Sequence, residues 1–222
     1  MLRRTWLARR STLRHAIRFA SSGPEGKSDE DTSWQVDDSM NNLGNGKVFE
    51  SERQLLKPEV SPIFPPLSGI TTGNEEVSVA DLLKDRVTLV GLSYRELGSR
   101  WTQPWIKAYI AAIGQNAPVL EVVCLDTVIM RALSWAARQG LRSRLRDTPN
   151  VSAVVVSSDT TPIRETLGIR NKLSGYLYLV DGQGRVRWAG CGVAGEDEIS
   201  AMTACAVELR REEAQQSKQI SQ

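Results

Sequence analysis

From residue 86 onward, apolar and polar positions fall into blocks that switch between two periods. RVTLVGLSY (86–94), VLEVVCLD (119–126) and VSAVVVSS (151–158) are apolar, β-branched runs of strand length. Between them the apolar residues recur at helical spacing. Trp101, Trp105, Tyr109 and Ile113 predict a helix over 99–114, with Pro104 close enough to its start to be tolerated. Ile129, Ala132, Leu133, Ala136, Ala137 and Gly140 predict one over 127–146. Ser78 to Asp81 has the spacing of a short capped helix running through Leu82 and Leu83. TTPIRETLGI (160–169) reads as a short helix that starts at Thr160 or Thr161 and ends at Gly168. LSGYLYLVD, a turn at Gly182–Gly184 and RVRWAG form a β-hairpin. A last helix over 196–213 recurs at Ile199, Met202, Cys205, Ala206 and Leu209.

That order is a βαβ unit, a further strand and helix, then an antiparallel pair and a closing helix. It predicts an α/β, thioredoxin-like fold, a mixed central sheet flanked by helices, with a disordered N-terminal extension. Residues 25–57 are polar, rich in Gly, Ser, Asp and Asn, and read as a disordered linker. Pro58, Pro62, Pro65 and Pro66 then force an extended strip whose Ile63, Phe64 and Leu67 are expected to lie against the domain. The expected boundaries are a leader at 1–24, the linker at 25–57, the domain at 58–215 and a flexible tail at 216–222.

Charge is unevenly placed. Residues 1–24 carry six arginines (Arg3, Arg4, Arg9, Arg10, Arg14 and Arg18) and no acid, interleaved with Ser, Thr and apolar residues. This is the composition of a mitochondrial transit peptide, with Arg18-Phe19-Ala20-Ser21 resembling a processing junction. Taking those six arginines from the formal net charge of +2 leaves −4, so no nucleic-acid footprint is expected on the rest. No apolar run is long enough to span a bilayer, so membrane contact is expected to be peripheral.

Candidate chemistry is sparse. Cys124, Cys191 and Cys205 are widely spaced without a CxxC, and His15, the one histidine, lies in the expected leader. Ligand count excludes a zinc cluster, and no Cys–His or Ser–His pair is available to the domain. A thioredoxin-like redox enzyme needs a thiolate at the helix N-terminus after its first strand, where the helix field lowers the thiol pKa. Here that junction reads LSYRELGSRWTQPW, without cysteine. Where redox members place a cis-proline before the hairpin, this chain has Ser174 and Gly175. Cys124 and Cys205 read as core thiols, and Cys191, between two glycines, as packing or a turn. The alternative is a mitochondrial thiol oxidoreductase using Cys191. Gly182–Gly184 joins antiparallel strands and so is no phosphate cradle; no cofactor or small-molecule substrate is expected.

Two sets of residues are candidates for partner binding. Arg131, Trp135, Arg138, Arg142 and Arg146 fall on one stripe of the 127–146 helix, suited to an anionic membrane or an acidic partner. On the hairpin the candidates are Tyr176, Arg185, Arg187 and Trp188.

The segment from Ile163 to Ile199 resembles the C-terminal signature of a mitochondrial assembly-factor family. The residues that carry the resemblance are Asn171, Leu173, Gly175, Tyr176, Tyr178, Leu179, Val180, Asp181, Gly184, Arg185, Arg187, Trp188, Gly190, Gly192 and Glu198. FPPL (64–67) and VTLVGLSYRELG (87–98) fit more loosely, and the linker gains no support. The resemblance implies a non-enzymatic chaperone, peripheral on the matrix side of the inner membrane. It would bind the newly made proton-channel subunit of the F-type ATP synthase and promote its joining to the rotor ring. The resemblance brings no catalytic residue. A thioredoxin-like groove and sheet edge are expected to hold an extended peptide.

Overall fold

The computed structural model describes residues 44–220 apart from 115, 147 and 149. The expected leader at 1–24 and the first part of the linker lie outside the described residues. Two N-terminal strands, β1 (Ser68–Thr71) and β2 (Glu76–Ser78), precede the short helix α1 (Val79–Leu83). Then follow β3 (Thr88–Ser93), α2 (Glu96–Ile113), β4 (Val119–Cys124), α3 (Val128–Ala132), α4 (Ser134–Arg144) and β5 (Val151–Val156). The chain closes with α5 (Thr161–Leu167), β6 (Gly175–Val180), β7 (Val186–Cys191) and α6 (Glu196–Ile220).

All seven strands form one sheet in the order β2-β1-β5-β4-β3-β6-β7. β3, β4 and β5 are mutually parallel, β6 runs antiparallel to β3 with Leu89 opposite Leu179, and β7 runs antiparallel to β6. The β4-β3-β6-β7 block, a parallel βαβ joined to an antiparallel hairpin, is the thioredoxin-like arrangement. The central strands are continuous apolar runs because helices cover both faces. One face packs Val90, Leu92, Tyr176 and Tyr178 against Ile163 and Leu167 of α5 and Val79 and Leu83 of α1. The other packs Leu89, Leu177 and Trp188 against Trp105 and Tyr109 of α2 and Met202 and Leu209 of α6. Trp105 and Trp188 meet with ring centroids 5.7 Å apart. Among the described residues no helix is long and apolar enough to cross a membrane.

Four expectations need correction. Residues 44–57 are not a free linker: they run as a strap along β7. The Glu52 and Leu56 amides donate to the Ala189 and Arg187 carbonyls at 3.0 and 2.7 Å. Such a segment lacks periodicity because backbone hydrogen bonds and scattered contacts of Val48, Phe49 and Leu55, not a regular apolar face, hold it. The strap and the following strip also occupy the outer edge of β7, where Phe64 donates to Gly184 and Val186 to Pro62. That edge is therefore closed to an added peptide strand. The single helix expected over 127–146 is two, broken at Leu133, which leaves the helical region at φ −95°, ψ 17°. The break turns Ala137 and Leu141 of α4 onto Ala153 and Val155 of β5, while α3 buries none of its residues. Finally, the expected tail at 216–222 is helical through Ile220.

Candidate functional site

In this layout the chemistry of a redox member would sit where β3 hands over to α2. Here Tyr94 is buried and Arg95 takes the position just before the helix. The Arg95 guanidinium donates to Asp126 Oδ1 at 2.9 Å and to the Tyr94 carbonyl, and touches Met130 Sδ at 3.4 Å. Lys172, from the loop before β6, reaches Asp126 Oδ2 at 2.7 Å. One carboxylate therefore joins the ends of β3 and β4 to the pre-hairpin loop. Burial alone would raise the Asp126 pKa, but hydrogen bonds and charge from Lys172 and Arg95 outweigh it and bring it to about 2. Ionised Asp126 only accepts hydrogen bonds, both of its oxygens are taken by Arg95 and Lys172, and the cluster holds the elements together without offering a thiol.

Behind it, Gly98 of α2 lies directly on Ser174 and Gly175. A Cβ on Gly98 would stand 2.5 Å from the Ser174 carbonyl oxygen. The helix thus packs closely on Ser174 and Gly175, which stand where a redox member would present its proline. No cis peptide occurs among the described residues.

None of the three thiols is poised for exchange. Cys124 lies inside β4, where burial pushes its pKa to about 12, and Cys205 faces the core from α6, its pKa raised by burial to about 11. Cys191 is buried at the end of β7. The Val48 and Phe49 amides donate to its sulfur at 3.2 and 3.4 Å, and the thiol donates to the Phe49 carbonyl. Burial raises its pKa despite the two amides.

Three of the hairpin candidates point inward. Tyr176 is buried, its hydroxyl donating to the Asn171 carbonyl and accepting from the Asn171 amide. Trp188 is buried and donates its indole N–H to the Glu52 carbonyl at 2.6 Å. Arg187 is buried between the Leu56 carbonyl at 2.6 Å, Glu212 at 3.0 Å and Asp181 at 3.8 Å. None of the three can meet a partner across the surface, because both faces of the hairpin are covered, by helices and by the strap. Arg185 is half-buried, bonded to Gln183.

Read together, the hairpin's distinctive side chains are a clamp for the strap. Trp188, Arg187 and Cys191 hold residues 48–56, and Glu198, in the first turn of α6, closes the clamp. Its carboxylate accepts from Ser51 Oγ at 2.7 Å and the Gly195 amide at 3.0 Å, and pairs with Lys47. The strap residues Lys47, Ser51, Glu52 and Leu56 were invisible to periodicity, as were Arg95, Asp126 and Lys172, which only the fold brings together. The nearest signal was Glu198, an acid that the local sequence leaves without a job.

The candidates on the 127–146 segment are differently placed. Arg131, Trp135 and Arg142 are exposed and Arg138 is half-buried, bonded to Asn74 and Ser134. Arg144 instead turns inward to buried Glu121 and to Ser99 of α2. Of the face expected to be buried, Ile129 is 74 % and Leu133 51 % exposed while Ala137 packs on β5; beside it Val128 is 80 % exposed, and Trp135 of the basic stripe 60 %. Among the described residues no group of His, Cys, Asp and Glu is placed to hold a metal ion.

Comparison with known proteins finds a family model described as "ATP10 protein" matching residues 32–209, further upstream than the resemblance reached. A Candida glabrata protein named "Mitochondrial ATPase complex subunit ATP10" is 26 % identical over 175 residues, covering 76 % of this chain and 64 % of that one. Its Saccharomyces cerevisiae counterpart is 25 % identical over 175 residues, covering 71 % and 63 %. The match thus spans slightly less than two thirds of these relatives' length. Among solved structures, the thioredoxin domain of a Bacteroides vulgatus thiol-disulfide oxidoreductase is 18 % identical, covering 64 % of this chain and 94 % of that one, with a TM-score of 0.45. BsSco, a member of the Sco family of cytochrome c oxidase assembly proteins, is 16 % identical, covering 69 % and 97 %, with a TM-score of 0.46. Likeness of that degree says nothing about activity; the fold assignment rests on the strand order.

Proposed function

Because the chain belongs to the ATP10 protein family, we propose that it is an assembly factor of the mitochondrial ATP synthase that works by binding rather than by catalysis. The relatives' name, a mitochondrial ATPase complex subunit, supports the complex. The observation that carries the mode of action is the occupant of the old reactive corner. An Arg95–Asp126–Lys172 ionic cluster stands where a thiol would have to be, and Cys191 is covered by the strap. The finer reading is a chaperone that binds the newly made proton-channel subunit and promotes its joining to the rotor ring. It acts peripherally on the matrix side of the inner membrane, after removal of a transit peptide near residues 1–24.

The test is disruption of the chain in its own cells, followed by native-gel separation of the ATP synthase. The expected result is loss of the membrane sector with free catalytic head, restored by the wild-type chain and equally by Cys191→Ser. An intact complex refutes the assembly role, and failure of Cys191→Ser alone, with the protein still folded, restores the thiol reading. Crosslinking in intact mitochondria should recover the proton-channel subunit; consistent failure to do so removes that partner.

A further inference from the structure

The exposed side chains of α3 and α4 stand outside everything described so far. Helix α3 buries none of its residues, and Val128, Ile129, Leu133 and Trp135 all present more than half their surface. Soluble proteins rarely leave such a cluster bare without a use for it. Over residues 127–146 there are five arginines and no acid. Arg144 is engaged inward with Glu121 and Ser99, whereas Arg131, Arg142 and Arg146 remain exposed. Arg131, which donates its Nε to the Leu125 carbonyl at 3.2 Å, therefore falls among the apolar tips of α3, and Arg142 and Arg146 follow along α4 and just past its end.

We propose that α3 and α4 lie on an anionic lipid bilayer, with Val128, Ile129, Leu133 and Trp135 entering the headgroup–acyl boundary and Arg131, Arg142 and Arg146 on the lipid phosphates. Charge complementarity selects the occupant, since a segment with five arginines and no acid of its own matches an anionic sheet of headgroups. The interleaving selects it further. Phosphates and acyl chains lie within one side-chain length of each other at a bilayer surface, whereas the centre of a protein–protein interface is depleted of charge. A tryptophan beside the cations is suited to the same boundary. This inference rests on the membrane-peripheral part of the reading above and assigns it a surface.

The experiment uses the full chain, and because the three native thiols are buried, an exposed engineered cysteine can be labelled selectively. Ala132→Cys carries a polarity-sensitive dye on the proposed surface, and Ala204→Cys carries it on α6 as a control. Each is mixed with vesicles of phosphatidylcholine alone, or with a minor fraction of phosphatidylglycerol. The expected result is a blue shift at position 132 with the anionic vesicles only, and none at position 204. Val128→Glu with Ile129→Glu should abolish the shift, and Arg142→Gln with Arg146→Gln should weaken binding about thirtyfold. Comparing dye positions within one chain separates this surface from any binding by the basic N-terminus. No shift at position 132, or a shift that survives both double variants, overturns the proposal. So does a Val128→Glu, Ile129→Glu chain that keeps vesicle binding but loses the crosslink to the proton-channel subunit, because the surface is then a protein site. If the dye shifts as expected while disruption leaves ATP synthase intact, the assembly reading fails and the lipid surface stands.

Discussion

Replacing Glu198 with alanine should uncover Cys191 without unfolding the domain. Glu198 grips the strap on both sides of the residues that shield the thiol, pairing with Lys47 and accepting from Ser51 at 2.7 Å. Between those anchors, Val48 and Phe49 donate their amides to the sulfur. The Lys47 pair is partly exposed, with side chains 31 % and 24 % accessible, so it contributes about 1 kcal/mol or less. The bond from Ser51 to a charged acceptor adds about 1 kcal/mol at this exposure, below the 1.5–3 kcal/mol typical of such bonds. Loss of about 2 kcal/mol from strap closure raises its opening about thirtyfold. The assay is thiol labelling at neutral pH in the native state, with Cys124 as internal standard because only global opening exposes it. Cys191 labelling should accelerate about thirtyfold while Cys124 labelling changes little. Equal acceleration of both, or of neither, refutes the view of the strap as a separately anchored cover.

Three further outcomes follow from the same geometry. Trp188→Ala removes a buried indole, its contact with Trp105 and its bond to Glu52, and should cost about 3–5 kcal/mol in urea unfolding; a loss below 1 kcal/mol would mean that Trp188 does not join the strap and α2 to the hairpin. Arg187→Met leaves the buried Asp181 carboxylate without its cation and frees the Leu56 carbonyl, and should destabilise by about 3 kcal/mol or more; an unchanged denaturation midpoint would show that Glu212 and Asp181 do not depend on it. Asp126 has its folded pKa lowered from 3.8 to about 2, so its contribution is complete above the ordinary value and fades as pH falls toward the folded one. Acid titration of Asp126→Asn should therefore lack a loss of stability that wild type shows between about pH 4 and 2; parallel curves would mean the cluster is not formed in solution.

From β3 onward the order of strands, and hence the fold class, could be read from periodicity, whereas the short strands β1 and β2 were not foreseen. The continuous runs at 86–94, 119–126 and 151–158 are what strands buried on both faces require, and Trp105, Tyr109, Met202 and Leu209 mark the helices that cover them. The missing junction cysteine was equally plain, since the absence of a residue type needs no coordinates. The N-terminal strap and the clamp that holds it were decided only by tertiary structure. Residues 44–57 look like linker because backbone hydrogen bonds to an edge strand carry no side-chain signature. Tyr176, Arg187 and Trp188 look like surface recognition residues because alternation tells which face a side chain takes, not what will cover it. The helix over 127–146 was judged by a stripe expected to be buried, yet nothing in the described domain covers Ile129 and Leu133 of that stripe. Local pattern specifies each element; what packs on its far side depends on residues a hundred or more positions away, and only the folded chain brings them there.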